Sequence, residues 1–171
     1  MTAMLRRTYE YADAGFDPAS AVRLSGLDYM RALVAGKIGA EPSINNTMGM
    51  IPPHLLEYGK TALEAEAGDY LLNPMGTVHG GFAATLLDSV LGIAVHTTLE
   101  PGMGFTTAEL KINYTRAILP STGRLLVEGN LIHRGRRMAT SQGRIIGKED
   151  GKLYAHGSTT CFLFPLKPTS E

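Results

Sequence analysis

The stretch His79-Gly-Gly-Phe-Ala-Ala-Thr-Leu-Leu-Asp88-Ser-Val-Leu-Gly-Ile-Ala-Val-His-Thr-Thr98 decides how this chain folds. It is nearly all apolar or small, and between Gly81 and Val95 the one charged residue is Asp88. The pattern predicts a helix buried on most sides. It does not predict a membrane span, because about 20 predominantly apolar residues are needed to cross a bilayer and the uninterrupted run is shorter. An apolar helix must be covered, and a curved antiparallel sheet wrapped around it supplies the cover.

The flanking sequence supplies such a sheet. After Gly102 come four strand-like runs, Phe105 to Thr115, Arg124 to His133, Met138 to Ile146 and Lys152 to Phe164. Turn signals separate them: Pro120-Ser-Thr-Gly123, the Arg134 to Arg137 corner around Gly135, and Glu149-Asp-Gly151, whose Asp-Gly is a strong hairpin signal. Four strands with hairpin-length links predict an antiparallel meander. Upstream, Ser25 and Asp28 have capping-box spacing, and Leu27, Met30, Val34 and Ile38 recur at helical spacing, predicting a helix over about residues 26–37. Pro42, Pro52 and Pro53 then leave a short strand near Met48 to Ile51 and another across Tyr58 to Ala67. The expected organisation is an α+β domain over residues 25–165, preceded by a partly flexible arm with a short helix (1–24) and followed by a tail (166–171).

With 16 Lys and Arg against 16 Asp and Glu in 171 residues, the chain has no net field to recruit nucleic acid or an anionic membrane. A lone Cys161 makes neither an intrachain disulfide nor, by itself, a zinc site, and it suits a reducing, cytoplasmic setting as a core residue. The five histidines, at 54, 79, 96, 133 and 156, contain no i, i+4 pair, so no metal is expected. Neither a Gly-x-Ser-x-Gly elbow nor a Walker loop occurs, which removes the usual serine hydrolase and nucleotide phosphatase readings.

Chemistry concentrates in Asn73-Pro-Met-Gly-Thr-Val-His79-Gly80-Gly81 and in Asp88. Two glycines at a helix N-terminus leave backbone N–H groups unshielded, so a carbonyl oxygen gaining negative charge can approach them. A carboxylate inside an apolar helix costs several kcal/mol unless it is paired or solvated at a site. Its helical neighbours Ala84, Thr85, Leu91 and Gly92 offer no cation. Such a group can act as general base or as nucleophile toward an activated acyl group. Further on, His133, Arg134, Arg136 and Arg137 form a basic hairpin whose guanidinium forks suit phosphate oxygens.

These motifs resemble, in order and spacing, the hotdog-fold acyl-CoA thioesterases of the phenylacetic acid degradation (PaaI-like) type, within the 4-hydroxybenzoyl-CoA thioesterase superfamily. The resemblance spans about residues 25–165. It continues through Glu109-Leu-Lys-Ile-Asn-Tyr114, His133-Arg-Gly-Arg-Arg137 and Asp150-Gly-Lys152. It implies a hotdog sheet around a central helix, with an additional N-terminal helix. It further implies hydrolysis of an acyl-CoA thioester without metal or cofactor, by a homodimeric catalytic unit that pairs into a tetramer. By position, Asp88 matches the family's catalytic carboxylate and Gly80 the N–H that polarises the thioester carbonyl. Asn73 and His79 match the polar residues before and at the helix start. Thr107 falls where relatives place a water-positioning Ser or Thr, although a one-residue shift would give that place to Thr106 and reverse its face. Gly81, Phe82, Thr85 and Leu86 are expected to line the acyl pocket, with Arg134, Arg136 and Arg137 on the coenzyme A phosphates. The alternatives are a non-catalytic acyl-CoA or lipid-binding hotdog module and a hotdog hydratase or dehydratase, the latter needing a His–Asp pair on a different spacing.

Eight residues separate Gly80 from Asp88, roughly 12 Å along a helix axis. One helix cannot bring both to one carbonyl, so each site is expected to combine two chains around a two-fold axis, with the third strand pairing across it.

Overall fold

The structure is a computed structural model that describes residues 3–13 and 17–166. The expected tail therefore lies, after residue 166, outside the described residues. The central helix, α4 (Gly80–His96), buries Phe82, Ala83, Leu86, Leu87, Val90, Leu91, Ala94 and Val95. Gly81 and Asp88 are exposed and Thr85 and Ser89 half-buried, so one flank of the helix remains uncovered. No helix among the described residues is long and apolar enough to cross a membrane.

The cover is a six-stranded sheet of β1 (Met50–Glu57), β2 (Lys60–Glu66), β3 (Met103–Tyr114), β4 (Arg124–Arg134), β5 (Met138–Gly147) and β6 (Leu153–Pro165). The spatial order is β1-β2-β4-β5-β6-β3, and every neighbouring pair is antiparallel. This corrects the expected four-strand meander. β4, β5 and β6 do form one, but β3 pairs with β6, from Met103↔Pro165 to Tyr114↔Ala155. The link over residues 115–123 does not make a hairpin because its backbone is engaged elsewhere. Thr115 and Arg116 N–H donate to Tyr154 O, and Ile118 O accepts from Val78 N–H at 2.9 Å, so the chain crosses the start of α4 before β4 begins.

The two proline-bounded strands are also corrected. Pro52 and Pro53 sit inside β1, where the register with β2 shifts between Ile51 and Leu55. β1 is an edge strand, and a proline is tolerated where no ladder donor is required. Tyr58 and Gly59 form the turn into β2, with Gly59 at φ 71°.

Before the sheet lie α1 (Pro18–Arg23), α2 (Gly26–Val34) and α3 (Ser43–Met48). Ser25 Oγ accepts from Asp28 N–H at 3.2 Å and donates to Asp28 Oδ2 at 2.7 Å, starting α2 where the capping spacing put it. The helix ends sooner than expected, ahead of Gly36 at φ 65°, and Ile38 packs from outside it. α3 has no counterpart in the sequence reading. In the arm, Arg7 donates to Asn46 O and Thr47 O at 2.7 and 2.6 Å and stacks 3.6 Å from the Tyr70 ring centroid.

How closely the sheet approaches α4 is set by glycines in register across three strands, Gly129↔Gly143↔Gly157. A Cβ on Gly129 would lie 2.7 Å from Val90 O, and one on Gly143 2.9 Å from Leu91 Cδ2. Leu86, Leu87, Val90 and Leu91 fill the space around this row with Leu125, Val127 and Ile145.

Candidate active site

The loop before α4 is tied by Asn73. Its Oδ1 accepts from Met75 N–H at 2.9 Å and Thr77 N–H at 3.2 Å, while Nδ2 donates to Thr77 Oγ1 at 2.8 Å. His79 then caps the helix: Nδ1 accepts from Gly81 N–H at 2.9 Å. A neutral imidazole that accepts at Nδ1 carries its proton on Nε2. The Gly81 N–H is thereby consumed, whereas the Gly80 N–H has no partner among the described residues. Tyr114 Oη donates to Gly80 O at 3.2 Å, and a Cβ on Gly80 would meet its ring at 3.2 Å. Asn73, His79, Gly80, Tyr114 and Arg116 line a cleft of about 380 Å³.

Asp88 occupies a different place. Thr107 Oγ1 donates to its Oδ1 at 2.9 Å, so β3 presents Thr107, and not Thr106, to the carboxylate. Asp88 is exposed on the uncovered flank of α4, so its carboxylate does not carry the cost of burial that the apolar run around it would impose. Cys161, paired with Thr107 across β3 and β6, is fully buried, and burial pushes its thiol up, so it stays protonated. Asp88 and Thr107 open onto a mainly apolar cavity of about 630 Å³. Gly80 does not line that cavity, and Asp88 does not line the Gly80 cleft.

The cavity walls are not those expected. Phe82 and Leu86 lie in the central core, 1% and 0% exposed, because their side of α4 faces the sheet. Thr85 turns its hydroxyl back to Gly81 O at 2.9 Å. The wall is built instead by Tyr29 and Met30 of α2, Pro52 and Pro53 of β1, His96 of α4 and Phe105 of β3. His96 was the legible one: it follows Asp88 by eight residues and shares its face of α4. Its ring centroid lies 5.5 Å from those of Tyr29 and Phe105, and burial lowers its pKa to about 4, so it is neutral at pH 7.

The basic hairpin divides. Arg134 is half-buried and turns Nη1 onto Gly135 O, while Arg136 and Arg137 are exposed and meet no carboxylate among the described residues. Ala139, two residues past Arg137, pairs with Cys161, which pairs with Thr107. The hairpin thus starts about two strand spacings, roughly 10 Å, from Thr107.

A curved antiparallel sheet wrapped around one long helix, with polar groups at the helix start and middle, defines the hotdog class. The model of the family described as the thioesterase superfamily matches residues 75–154. A crystal structure of a Ralstonia eutropha JMP134 protein, described as a phenylacetic acid degradation-related thioesterase, is 29% identical. It superposes with a TM-score of 0.70, covering 78% of this chain and 98% of that one. Human acyl-coenzyme A thioesterase 13 is 28% identical over 105 residues, 61% of this chain and 74% of that protein. A Streptococcus mutans protein solved with acetyl CoA bound is 26% identical, with a TM-score of 0.60 over 68% of this chain and 90% of that one. The chain has the hotdog fold of these thioesterases and is similar to them in sequence, and its class of chemistry is thioester hydrolysis.

Proposed function

We propose that the protein hydrolyses acyl-CoA thioesters to the free acid and coenzyme A, in sites that each combine two chains. Residues 25–165 form the catalytic domain, and residues 1–24 an accessory arm that braces α3. Asp88, oriented by Thr107, takes a proton from the water that attacks the thioester carbonyl, or attacks it directly to give an anhydride that water then opens. The developing oxyanion is held by the Gly80 N–H of the partner subunit. The C–S bond breaks and coenzyme A leaves as the thiol. Asn73 and His79 hold the Gly80 loop, and Arg136 and Arg137 take the coenzyme A phosphates. The cavity next to Asp88 receives the acyl chain.

One observation carries this reading: the free N–H and the carboxylate open into separate cavities of a single chain, about 12 Å apart on one helix. The twelve-residue edge strand β3, exposed along most of its length, offers the seam across which a second copy would pair, bringing an antiparallel α4 alongside. The acyl-CoA substrate rests on the names and the bound ligand of the relatives. A dimer of dimers in the cytoplasm completes the proposal.

Thiol release from a panel of acyl-CoA substrates tests the reaction. Mixing inactive Asp88→Asn with inactive Gly80→Val tests the shared site, because one of the two sites of each mixed dimer then has both wild-type groups. Activity approaching half the wild-type value per mixed dimer is expected. No recovery in demonstrated heterodimers, or full activity in a monomer, overturns it.

A further inference from the structure

The floor of the Asp88 cavity holds a polar group that nothing in the proposed reaction uses. His96 ends α4 and lines the cavity with Tyr29, Ile93 and Phe105. Its ring centroid lies 5.5 Å from that of Tyr29 and 5.5 Å from that of Phe105. Neither imidazole nitrogen has a hydrogen-bond partner among the described residues. Among the described residues the fully buried side-chain atoms left unpaired are Thr61 Oγ1 and Arg134 Nε, so the His96 nitrogens are not fully sealed, and the residue lines the cavity. Two aromatic rings therefore fix an imidazole whose donor and acceptor are aimed at nothing in the protein.

We propose that His96 is a specificity-determining residue that selects acyl groups of medium length ending in an uncharged hydrogen-bonding group, such as a terminal hydroxyl. The proposal rests on the reading of this cavity as the acyl site. Its physical basis is an asymmetry: a polar group buried against a hydrocarbon loses its water without compensation, whereas one that meets a matching partner does not. A methyl-ended chain reaching the floor strips water from His96 and returns nothing. A hydroxyl both donates and accepts, so it satisfies a neutral imidazole in either tautomer. A carboxylate-ended chain would need the imidazolium as its partner, and burial suppresses that form at neutral pH. Length follows from the helix, since eight residues, roughly 12 Å of axis, separate the carboxylate from the floor. A short acyl group ends before the floor, and His96 is indifferent to it.

The test uses three acyl-CoA substrates of equal, medium chain length ending in methyl, hydroxyl or carboxylate, with acetyl-CoA as the short control. Wild-type protein should show kcat/KM at least about tenfold higher for the hydroxyl-ended chain than for either other chain. His96→Phe, which keeps an aromatic ring beside Tyr29 and Phe105, should bring the hydroxyl and methyl substrates within about twofold of each other, while acetyl-CoA reports any general loss of activity. His96→Gln, which keeps a donor and an acceptor, should restore much of the preference and also serves if the Phe variant folds poorly. Binding of non-hydrolysable thioether analogues of the same chains is measured in parallel. Loss of turnover with a retained hydroxyl preference in binding would overturn the hydrolytic reading and leave this one standing. A wild-type protein without hydroxyl preference, or an unchanged preference in His96→Phe, overturns the proposal itself.

Discussion

Replacing Asp88 by Asn separates a chemical role from a structural one. The side chain is exposed, and its protein hydrogen bond is the 2.9 Å donation from Thr107 Oγ1 to Oδ1. An asparagine Oδ1 can accept that bond in the same place. The change should therefore stay within the ±0.5 kcal/mol typical of surface substitutions, about 2 °C in Tm for a chain of this size. The amide is neither basic nor nucleophilic at neutral pH, and removing a positioned general base costs about 10²- to 10⁴-fold in rate. The assay is thiol release from the best acyl-CoA substrate, run beside a thermal melt. Turnover within about threefold of wild type would refute the assignment of Asp88. So would a melt lowered by many degrees, because the bond geometry predicts that almost no stability is lost.

Three further outcomes follow from other parts of the molecule. Gly129→Ala drives a Cβ to 2.7 Å from the Val90 carbonyl oxygen; overpacking of about 1–3 kcal/mol should lower Tm by about 2–12 °C, and an unchanged melt contradicts the close approach. Neutralising Arg136 and Arg137 together should raise KM for acyl-CoA about tenfold or more but spare a short acyl thioester lacking the nucleotide, since phosphate contacts bind ground and transition states alike; equal effects on both remove the phosphate role. His96 titrates at about 4 when folded against an ordinary 6.5, so the unfolded chain takes up the proton first as pH falls; its contribution is complete above pH 6.5 and is lost toward pH 4, costing roughly 3 kcal/mol. Denaturant unfolding of wild type and His96→Phe at pH 7 and pH 4 should show that difference, and parallel pH profiles argue against it.

The helix around Asp88 was readable because a long, nearly all-apolar run with a single charge leaves few alternatives, and the strands β4 to β6 because their turns carry local signals. The partner of β3 was not readable. Whether the nine residues between β3 and β4 turn back at once or cross the helix depends on hydrogen bonds to Val78 and Tyr154, which lie far away in sequence. Pro52 and Pro53 misled for a related reason, since a proline's tolerance depends on whether its strand lies at an edge, a property of the whole sheet. In the site, the glycine pair and Asp88 stood out as violations of local economy. Which of the two N–H groups stays free is decided by the capping bond from Gly81 N–H to His79, which no residue spacing encodes. Beyond the α4 residues, the cavity walls come largely from α2, β1 and β3, elements distant in sequence whose apolar residues look like any others. Phe82 and Leu86 were assigned to the wall because they neighbour the chemistry along the chain, but the helix turns them to the opposite side.

The glycine row under α4 has a consequence for how such a protein can diversify. Because α4 and β4 approach at main-chain distance at Gly129, the layer spacing there is insensitive to which side chains the rest of the chain carries. Gly80 and Asp88 ride on that same helix, whereas Tyr29, Met30, Pro52, Pro53 and Phe105 belong to other elements. Substitutions can accumulate in the cavity walls, reshaping what the cavity accepts, without displacing the groups at the start and middle of the helix. Novelty in one part of the molecule is insulated from error in the other.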